Sequence, residues 1–346
     1  MEIKLILDFD VWKNFVNSTS SNTFLHSLSW INFNQKQKHD LWTLGMYDDT
    51  DNLISIALVI KIVARRGTFL FCPHGPQYID QKISDSAYLK GKLEEWTKYF
   101  IKLAKFEKCS FIRIQPILLN TSQNRHVFYS TGYRDSPIHM HTELTSVINL
   151  ATSLDNIKIK MRKTTRQMIK KGESMIASGD ITVEYFNTIS NELYEVYKQT
   201  QKRGRFVGFS KEFLQDEFDS FRHKDGVVLF GIRHKGQLLS WGMVLIVGNK
   251  SFYHQGGNIL NKNVPASYLL HWTGIKIAKE KGCISYDFWG VAPLDKLKHP
   301  WAHISTFKRG FGGLDVELVH AKDYILDFKY YINYIIEKIR AKKRGF

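Results

Sequence analysis

The sequence predicts an α/β protein in which two similar units each hold a mixed sheet. Two passages, residues 51–116 and 235–290, share one order of elements: two strand-like runs, a glycine-containing loop, a helix followed by cysteine, and a final strand. Strands joined through a helix pair partly in parallel. The shared order indicates an internal duplication. The chain of 346 residues also exceeds the usual size of one hydrophobic core.

Apolar spacing supports a helix in each passage. Residues three and four apart share one face: Leu93, Trp96, Phe100, Leu103 and Ala104 in the first, and Leu269, Leu270, Thr273 and Ile277 in the second. Pro265 and Gly282 suit the start and the end of the second helix. We therefore expect mixed α/β units at about residues 1–150 and 151–321.

The closing segment, residues 325–344, reads as a helix with one apolar face. That face comprises Phe328, Tyr331, Ile332, Ile335, Ile336 and Ile339. An apolar stripe on a helix normally packs against a core, so we expect this face to be buried against the first unit. The tail that follows is basic and could contact an anionic membrane face.

Charge and cysteine content limit the classes of partner and compartment. Lys and Arg number 49 against 33 Asp and Glu, a net charge of +16, which favours anionic partners such as nucleic acid or phosphorylated substrates. The cysteines at positions 72, 109 and 283 are isolated, so we expect neither disulfides nor a metal site. The amino terminus lacks the pattern of a signal peptide, and no apolar run is long enough to span a membrane. We expect a cytoplasmic protein.

The densest positive charge lies in residues 156–175. Cations recur every four residues there, which in one helix would form a column: Lys158, Arg162, Arg166 and Lys170. No acid lies between Asp155 and Glu173. The column is either a solvated surface or a site for a polyanion such as RNA, bound through its phosphates. No RNA-recognition motif accompanies it.

The stretch STFKRGFGG, residues 305–313, places Lys308 and Arg309 beside glycine and phenylalanine. From the residues alone, Lys308 is an exposed loop lysine near a tight turn. A catalytic role is the alternative. No nucleophile motif is present, so a covalent acyl-enzyme is not expected.

Three segments in order, MRKTTRQMIKKG, YDFWG and FKRGFGG followed by VELV, resemble the FemABX family of peptidoglycan bridge aminoacyltransferases. The resemblance implies two tandem domains of the GNAT acyltransferase fold without the helical hairpin arm of several members, residues 322–346 returning to complete the first domain. Members move an amino acid from aminoacyl-tRNA to an amine on the stem peptide of a UDP-linked or lipid-linked cell-wall precursor. By resemblance we expect an aminoacyltransferase that needs no cofactor, acts as a monomer, and lies in the cytoplasm or at the inner membrane face.

The resemblance also implies roles for residues near the carboxy terminus. Lys308 matches the lysine proposed to stabilise the oxyanion that forms during acyl transfer, and Arg309 would face the tRNA terminus. Independently of the resemblance, Asp287 in YDFWG is a candidate proton acceptor by its position at a strand end, with a structural hydrogen-bonding role as the alternative. The cations at 158, 162, 166 and 170 would bind the tRNA.

Precursor-binding residues carry over imperfectly. Lys36 lies near the expected lysine, with Asn34 as the alternative position. Arg205 and Lys211 stand in for an arginine and a tyrosine that the family pattern places at neighbouring positions. Tyr253 matches a substrate-contacting tyrosine.

Two further positions depart from the family pattern. Gln255 replaces a second substrate-binding tyrosine. Trp289 stands where relatives usually carry glycine, and its ring either narrows the pocket or packs.

Two other functions remain open on the sequence. An acetyl-CoA-dependent GNAT acyltransferase is disfavoured, because QKRGRF fails the R/Q-x-x-G-x-G/A pattern at its last position. A non-catalytic RNA-binding protein would account for the charge alone.

Overall fold

The computed structural model describes residues 1–64, 67–79, 83–222 and 226–345. The chain divides into two compact units. The first holds Met1–Glu143 and the segment from Glu317 onwards, and the second holds Leu144–Val316. Among the described residues, no helix has the length and apolar content needed to cross a bilayer.

The first unit is built on a mixed sheet. Its strands are β1 (Glu2–Leu5), β2 (Leu41–Tyr47), β3 (Leu53–Ala64), β4 (Gly67–Pro73), β5 (Gln77–Tyr78), β6 (Phe111–Gln115), β7 (Arg134–Asp135) and β15 (Lys322–Ile325). The order is β1-β2-β3-β4-β6-β15-β7, with β5 on β3. Its helices are α1 (Phe9–Ser18), α2 (Leu28–Lys36), α3 (Ser86–Phe106), α4 (Ser122–Ser130) and α11 (Lys329–Arg344), with a short 3-10 turn at Phe24–His26.

The second unit holds a seven-stranded sheet in the order β14-β8-β13-β12-β11-β10-β9. Its strands are β8 (Leu144–Asn149), β9 (Ile181–Tyr185), β10 (Val227–His234), β11 (Gln237–Val247), β12 (Lys250–Asn258), β13 (Ser285–Gly290) and β14 (Leu314–Glu317). Its helices are α5 (Leu154–Lys160), α6 (Lys163–Ala177), α7 (Asn191–Gly204), α8 (Lys211–Phe221), α9 (Ala266–Glu280) and α10 (Ala302–Arg309). The sequence assigned β8 to the first unit, but β8 pairs with β13.

The two units repeat one plan, as the sequence predicted. In the first, α3 connects β4 to β6, and these strands pair in parallel. In the second, α9 connects β12 to β13, which also pair in parallel. The helix α3 begins where the Asp85 side chain accepts hydrogen bonds from two backbone N–H groups, and its buried residues follow the predicted spacing. The mixed α/β architecture with tandem units is confirmed.

A buried arginine sets the orientation of α11. Arg113 in β6 is fully buried. Its Nε and Nη2 atoms donate to the two carboxylate oxygens of Asp323 on β15 at 2.7 and 2.8 Å. Nη2 also donates to Glu337 on α11 at 2.8 Å. A buried charge is costly unless it is paired, so α11 turns Glu337 towards the sheet.

The expectation that the apolar face of α11 is buried is therefore wrong. The inward face instead holds Tyr330, Asn333 and Glu337. The opposite face remains exposed: Phe328, Tyr331, Ile332, Ile335 and Ile339. The chain also forms β15 up to Ile325 before the helix begins at Lys329, so the helix is shorter than predicted.

The basic segment at residues 156–175 forms two helices, and the prediction of one continuous helix is wrong. Helix α5 ends at Lys160 and α6 begins at Lys163. Between them Met161 and Arg162 are extended, and the Arg162 N–H donates to the carbonyl of Gly310 at 2.9 Å. Met161 is buried. The hydrogen bond to Gly310 and the burial of Met161 stabilise the break more than a continuous helix would be stabilised by its own hydrogen bonds. The break interrupts the predicted column of cations.

Candidate active site

Lys308 lies in the last turn of α10 and its ammonium group is buried. The residue is 9% exposed, and its Nζ donates to the carbonyl oxygen of Gly290 at 2.7 Å. The carbonyl oxygen of Trp289 lies 3.5 Å from the same atom. The prediction of a glycine-rich loop at Lys308 is wrong, because residues 302–309 are helical and the glycines follow them. The exposed side chain that the residues alone suggested is not found either. The helix holds the side chain against the end of β13.

The glycines after α10 permit close packing of the neighbouring backbone. A Cβ atom at Gly312, where φ is +81°, would lie 2.5 Å from the carbonyl oxygen of Lys160. A Cβ at Gly310 would lie 2.8 Å from Oγ1 of Thr165. These positions need glycine because α5 and α6 approach there. The glycines thus position α10 against α5 and α6.

Asp287 lies where β13 departs from its regular register. Asp287 pairs with Val147 of β8, and the next pair joins Gly290 to Thr145, so β13 carries one extra residue. Within this bulge Trp289 has φ +59°, a left-handed conformation that costs energy for a residue with a side chain. The Trp289 N–H donates to Oδ1 of Asp287 at 2.7 Å. A bulge of this kind redirects local backbone groups, and here it presents two carbonyl groups to Lys308.

Burial brings the pKa values of Asp287 and Lys308 close together. Burial raises the pKa of Asp287 to about 7, against the hydrogen bonds from Trp289 and Thr145 and the charge of Lys308, which lower it. Burial lowers the pKa of Lys308 to about 8, and the charge of Asp287 opposes that shift. At neutral pH, Lys308 is mostly protonated and Asp287 is near its titration midpoint. Groups tuned in this way are typical of acid–base sites.

His271 on α9 is a neutral neighbour of this pair. Burial, with a smaller contribution from the charge of Lys308, lowers the pKa of His271 to about 3. Its Nδ1 lies 3.2 Å from the hydroxyl oxygen of Tyr286. The ring of Tyr253, the expected substrate contact, lies 4.4 Å from the His271 ring between centroids. Burial raises the pKa of Tyr253.

A histidine–glutamate pair that sequence reasoning missed lies beside the bulge of β13. Nε2 of His254 is 2.7 Å from Oε1 of Glu217, a fully buried carboxylate on α8. Nε2 of Gln255 donates to the other oxygen at 3.0 Å. The rings of His254 and Trp289 lie 6.2 Å apart between centroids. The packing role of Trp289 thus involves His254, and Gln255 positions a carboxylate.

The sequence does contain a signal for Glu217. The buried face of α8 includes Leu214, Phe218 and Phe221, and Glu217 falls on that face by its spacing. A charged residue on an apolar face is expected to have a specific partner. The partner itself was not visible, because His254 is the extra residue of a second bulge, between the β12 residues that pair with Met243 and Val244.

The remaining candidate residues are more peripheral. Nη2 of Arg309 donates to the carbonyl of Ala292 at 2.6 Å and its Nε to Asp315 at 2.8 Å. Nζ of Lys211 donates to Asn191 at 2.7 Å. Arg205 is exposed at the end of α7, where its φ is +51°. Their substrate contacts stay predictions.

Lys36 lies in the first unit, at the exposed end of α2. Asn34, the alternative for that position, is buried. Its Nδ2 donates to the carbonyl of Trp30 at 2.8 Å, so Asn34 has a structural role. Lys36 remains the candidate for precursor binding.

The four candidate tRNA-binding cations differ in their surroundings. Lys158 pairs with Glu173 at 3.2 Å and lies 4.8 Å from the Trp272 ring centroid. Arg162 donates to the carbonyl of Thr306 at 3.1 Å. Arg166 donates to the carbonyl of Ile159 in α5 and to that of Met161, which follows α5. Lys170 is exposed. Nearby exposed lysines extend the basic surface: Lys160, Lys163 and Lys171.

Within the described residues, one group has the composition of a metal site: His139, Glu143 and His320. Oε2 of Glu143 lies 2.7 Å from Nδ1 of His320 and 3.6 Å from Nδ1 of His139. Nε2 of His320 lies 2.8 Å from the carbonyl of Ser136. Burial lowers the pKa of His320, but the hydrogen bond with Glu143 outweighs burial and the pKa is raised overall. A protonated His320 satisfies both oxygen acceptors, so an ion pair accounts for this group.

Solved structures share this fold. FemX matches with a TM-score of 0.79 at 15% identity, covering 97% of this chain and 100% of that one. L-PGS from Bacillus licheniformis matches with a TM-score of 0.56 at 12% identity, over 98% and 99% of the two chains. A tandem GNAT protein from the clavulanic acid biosynthesis pathway matches with a TM-score of 0.56 at 9% identity, over 93% and 98%. A search of curated protein sequences found no match.

The duplicated mixed sheets and these structural matches define a protein of tandem GNAT-like architecture. The sequence profile of the FemAB family matches residues 7–233, about two thirds of the chain. The chain belongs to the FemAB family.

Proposed function

We propose that this protein transfers an amino acid from aminoacyl-tRNA to an amine on the stem peptide of a peptidoglycan precursor. The observation that carries the proposal is the buried ammonium group of Lys308, held by backbone carbonyls at a bulged strand end in a FemAB-family fold. The acceptor is a UDP-linked or lipid-linked muropeptide. Transfer is direct, within one complex of enzyme and both substrates, and needs no cofactor.

Lys308 supplies positive charge where the reaction develops negative charge. Attack of an amine on the ester carbonyl gives a tetrahedral intermediate with an oxyanion. Collapse of this intermediate breaks the C–O bond to the tRNA, and the proton taken from the amine passes to the leaving tRNA oxygen. The ammonium group has three N–H donors, of which the two carbonyl groups of Trp289 and Gly290 take at most two. The remaining donor is available to the oxyanion. In a buried site such a donor contributes about 3–4 kcal/mol to the transition state.

The attacking amine must lose a proton, and two groups could accept it. Asp287 has a pKa near neutrality, although it also accepts the Trp289 N–H bond. His254 is oriented by Glu217 in the manner of a histidine–carboxylate pair. Asp287 is the favoured base because it acts on the same buried site as Lys308. His254→Asn and Asp287→Asn distinguish the two, since only loss of the base removes the acidic limb of the pH–rate profile.

The donor tRNA would lie on the basic surface of α5 and α6. Its phosphates provide the counter-charge for the exposed lysines there. The protein would act as a monomer, in the cytoplasm or at the inner face of the membrane when the acceptor is lipid-linked. Lys36, Arg205 and Lys211 are proposed contacts of the precursor.

The test is incubation with a pool of charged tRNAs and both precursor forms, followed by mass spectrometry of the precursors. A mass increment equal to one or more amino acid residues, absent with uncharged tRNA, supports the proposal. Acetylation of an amine in the presence of acetyl-CoA, without tRNA, would instead identify a CoA-dependent acyltransferase. Salt-sensitive tRNA binding with no product would identify a non-catalytic RNA-binding protein.

A further inference from the structure

The outer face of α11 is an apolar surface on a helix that is already anchored. We call it the α11 stripe: Phe328, Tyr331, Ile332, Ile335 and Ile339. Their exposed fractions run from 49% to 75%. An exposed isoleucine is unremarkable singly, but a contiguous row of large apolar side chains marks an interaction surface.

The helix geometry separates this stripe from the buried face. At 3.6 residues per turn, successive residues are about 100° apart, which places the stripe within about 60° of the direction of Phe328. Tyr330 and Glu337 point about 160–180° away, and both are buried. Glu337 is bonded to Arg113, so the helix cannot roll to bury its isoleucines without breaking that ion pair.

Basic residues border the stripe on both sides. By the same geometry, Lys338 lies on one flank, Lys329 and Lys343 lie on the other, and Lys342 follows the stripe at its carboxy-terminal end. Arg340 and Arg344 add two further cations, and all six are exposed. Glu337, the one acid within α11, is taken by Arg113. The surface is therefore apolar in the middle and cationic at the edges.

We propose that the α11 stripe binds the surface of an anionic lipid bilayer. A helix lying in a membrane interface needs an apolar face to insert and cations that reach the headgroups, and α11 has both. A second copy of this chain is a poorer occupant, because two such stripes would bring like-charged lysine rows together with no free acid in α11 to pair them. Binding at the bilayer goes beyond the proposed chemistry and needs neither Lys308 nor tRNA.

The test uses the full chain and vesicles of defined composition. Co-sedimentation with phosphatidylcholine vesicles containing about one third phosphatidylglycerol should recover the protein, whereas pure phosphatidylcholine vesicles should not. Raising the salt concentration should weaken binding. The double variant Ile335→Ser/Ile339→Ser should lower the partition coefficient at least ~10-fold, since two isoleucines no longer insert. Lys338→Gln/Lys342→Gln should weaken binding to the anionic vesicles.

Leu7→Ser is the matched control, because Leu7 is 82% exposed and lies outside α11. It should bind vesicles as the unmodified chain does. All variants change exposed side chains, so their thermal unfolding should match that of the parent. Equal loss of binding in Leu7→Ser, or no binding by the parent chain, would overturn the proposal. A parent dimer in sedimentation velocity that becomes monomeric in the isoleucine variant, without vesicle binding, would identify a self-association surface instead.

These variants allow the membrane-binding proposal and the transfer proposal to be refuted independently. Lys308→Ala should still bind vesicles. If the transfer proposal also holds, the isoleucine variant should lose transfer to a lipid-linked acceptor in vesicles and keep transfer to a UDP-linked one.

Discussion

The ammonium nitrogen of Lys308 lies 2.7 Å from the carbonyl oxygen of Gly290, at the end of a bulged strand. This contact needs both the bulge in β13 and helix α10. The bulge turns two carbonyl groups towards the site, and α10 positions the Lys308 side chain beside them. A buried cation whose hydrogen bonds go to neutral carbonyl groups retains a positive charge that these partners do not neutralise. Such a charge can stabilise an oxyanion more strongly than an exposed lysine can.

The pH dependence of transfer should be bell-shaped with a narrow optimum. Activity should rise as Asp287 ionises near pH 7 and fall as Lys308 loses its proton near pH 8. The two groups interact, so the limbs report the pair. kcat/KM measured from pH 5.5 to 9.5 tests this. A flat profile over that range would contradict the assignment of both groups.

Asp287→Asn should stabilise the fold, and the gain should grow with pH. The folded-state pKa of about 7 lies above the ordinary 3.8. The contribution of Asp287 to the free energy of unfolding is therefore fully present below about pH 4. It is lost as pH rises through 7, because burial penalises the carboxylate anion. The asparagine cannot ionise, so the difference in Tm should widen by several degrees between pH 4 and pH 8.5. Asp295→Asn, at an exposed position, should show no such trend, and a gain independent of pH would refute the explanation.

Glu337→Gln should destabilise the first unit. The change leaves the fully buried Arg113 with one carboxylate partner instead of two, and breaking a buried ion pair costs about 3–5 kcal/mol. The glutamine amide still accepts a hydrogen bond from Arg113 and so keeps part of this interaction energy. We therefore expect the free energy of unfolding to fall by about 1–3 kcal/mol. Urea unfolding measures the change. Asp49→Asn, which removes an exposed pair with the amino terminus, should cost less than about 1 kcal/mol; equal effects would mean that Arg113 does not depend on Glu337.

Gly312→Ala should cost more than Gly179→Ala. Both glycines have φ near +80°, so the backbone strain is matched. A Cβ at Gly179 meets nothing within 4 Å, whereas at Gly312 it would meet the carbonyl of Lys160 at 2.5 Å. We expect about 1 kcal/mol for Gly179→Ala and a clearly larger loss, with reduced transfer, for Gly312→Ala. Similar unfolding energies for the two variants would show that α5 does not pack against this turn.

The duplicated architecture was readable from the sequence, because amphipathic spacing and strand–helix–strand order are local properties. The helix break at Met161 was not readable. No proline or glycine marks it, and its cause is a hydrogen bond from Arg162 to Gly310, far along the chain. The orientation of α11 was hidden for a similar reason. Its spacing revealed the apolar stripe, but a buried arginine in β6 decides which face packs.

The candidate site was predictable only in part. Lys308 was found through a family resemblance and Asp287 through its position at a strand end, and the structure brings them into one electrostatically coupled site. Their helix, bulge and burial could not be derived, because they depend on strand register. His254 and Glu217 escaped detection since their partnership joins α8 to a bulge in β12.

The central claim is that the Lys308 ammonium stabilises the oxyanion, and the single-turnover rate of aminoacyl transfer tests it most directly. Lys308→Ala should lower that rate about 10²–10³-fold, with tRNA affinity and thermal unfolding preserved. Lys296→Ala, at an exposed position, should leave it unchanged. Transfer by Lys308→Ala at the parental rate would contradict the account.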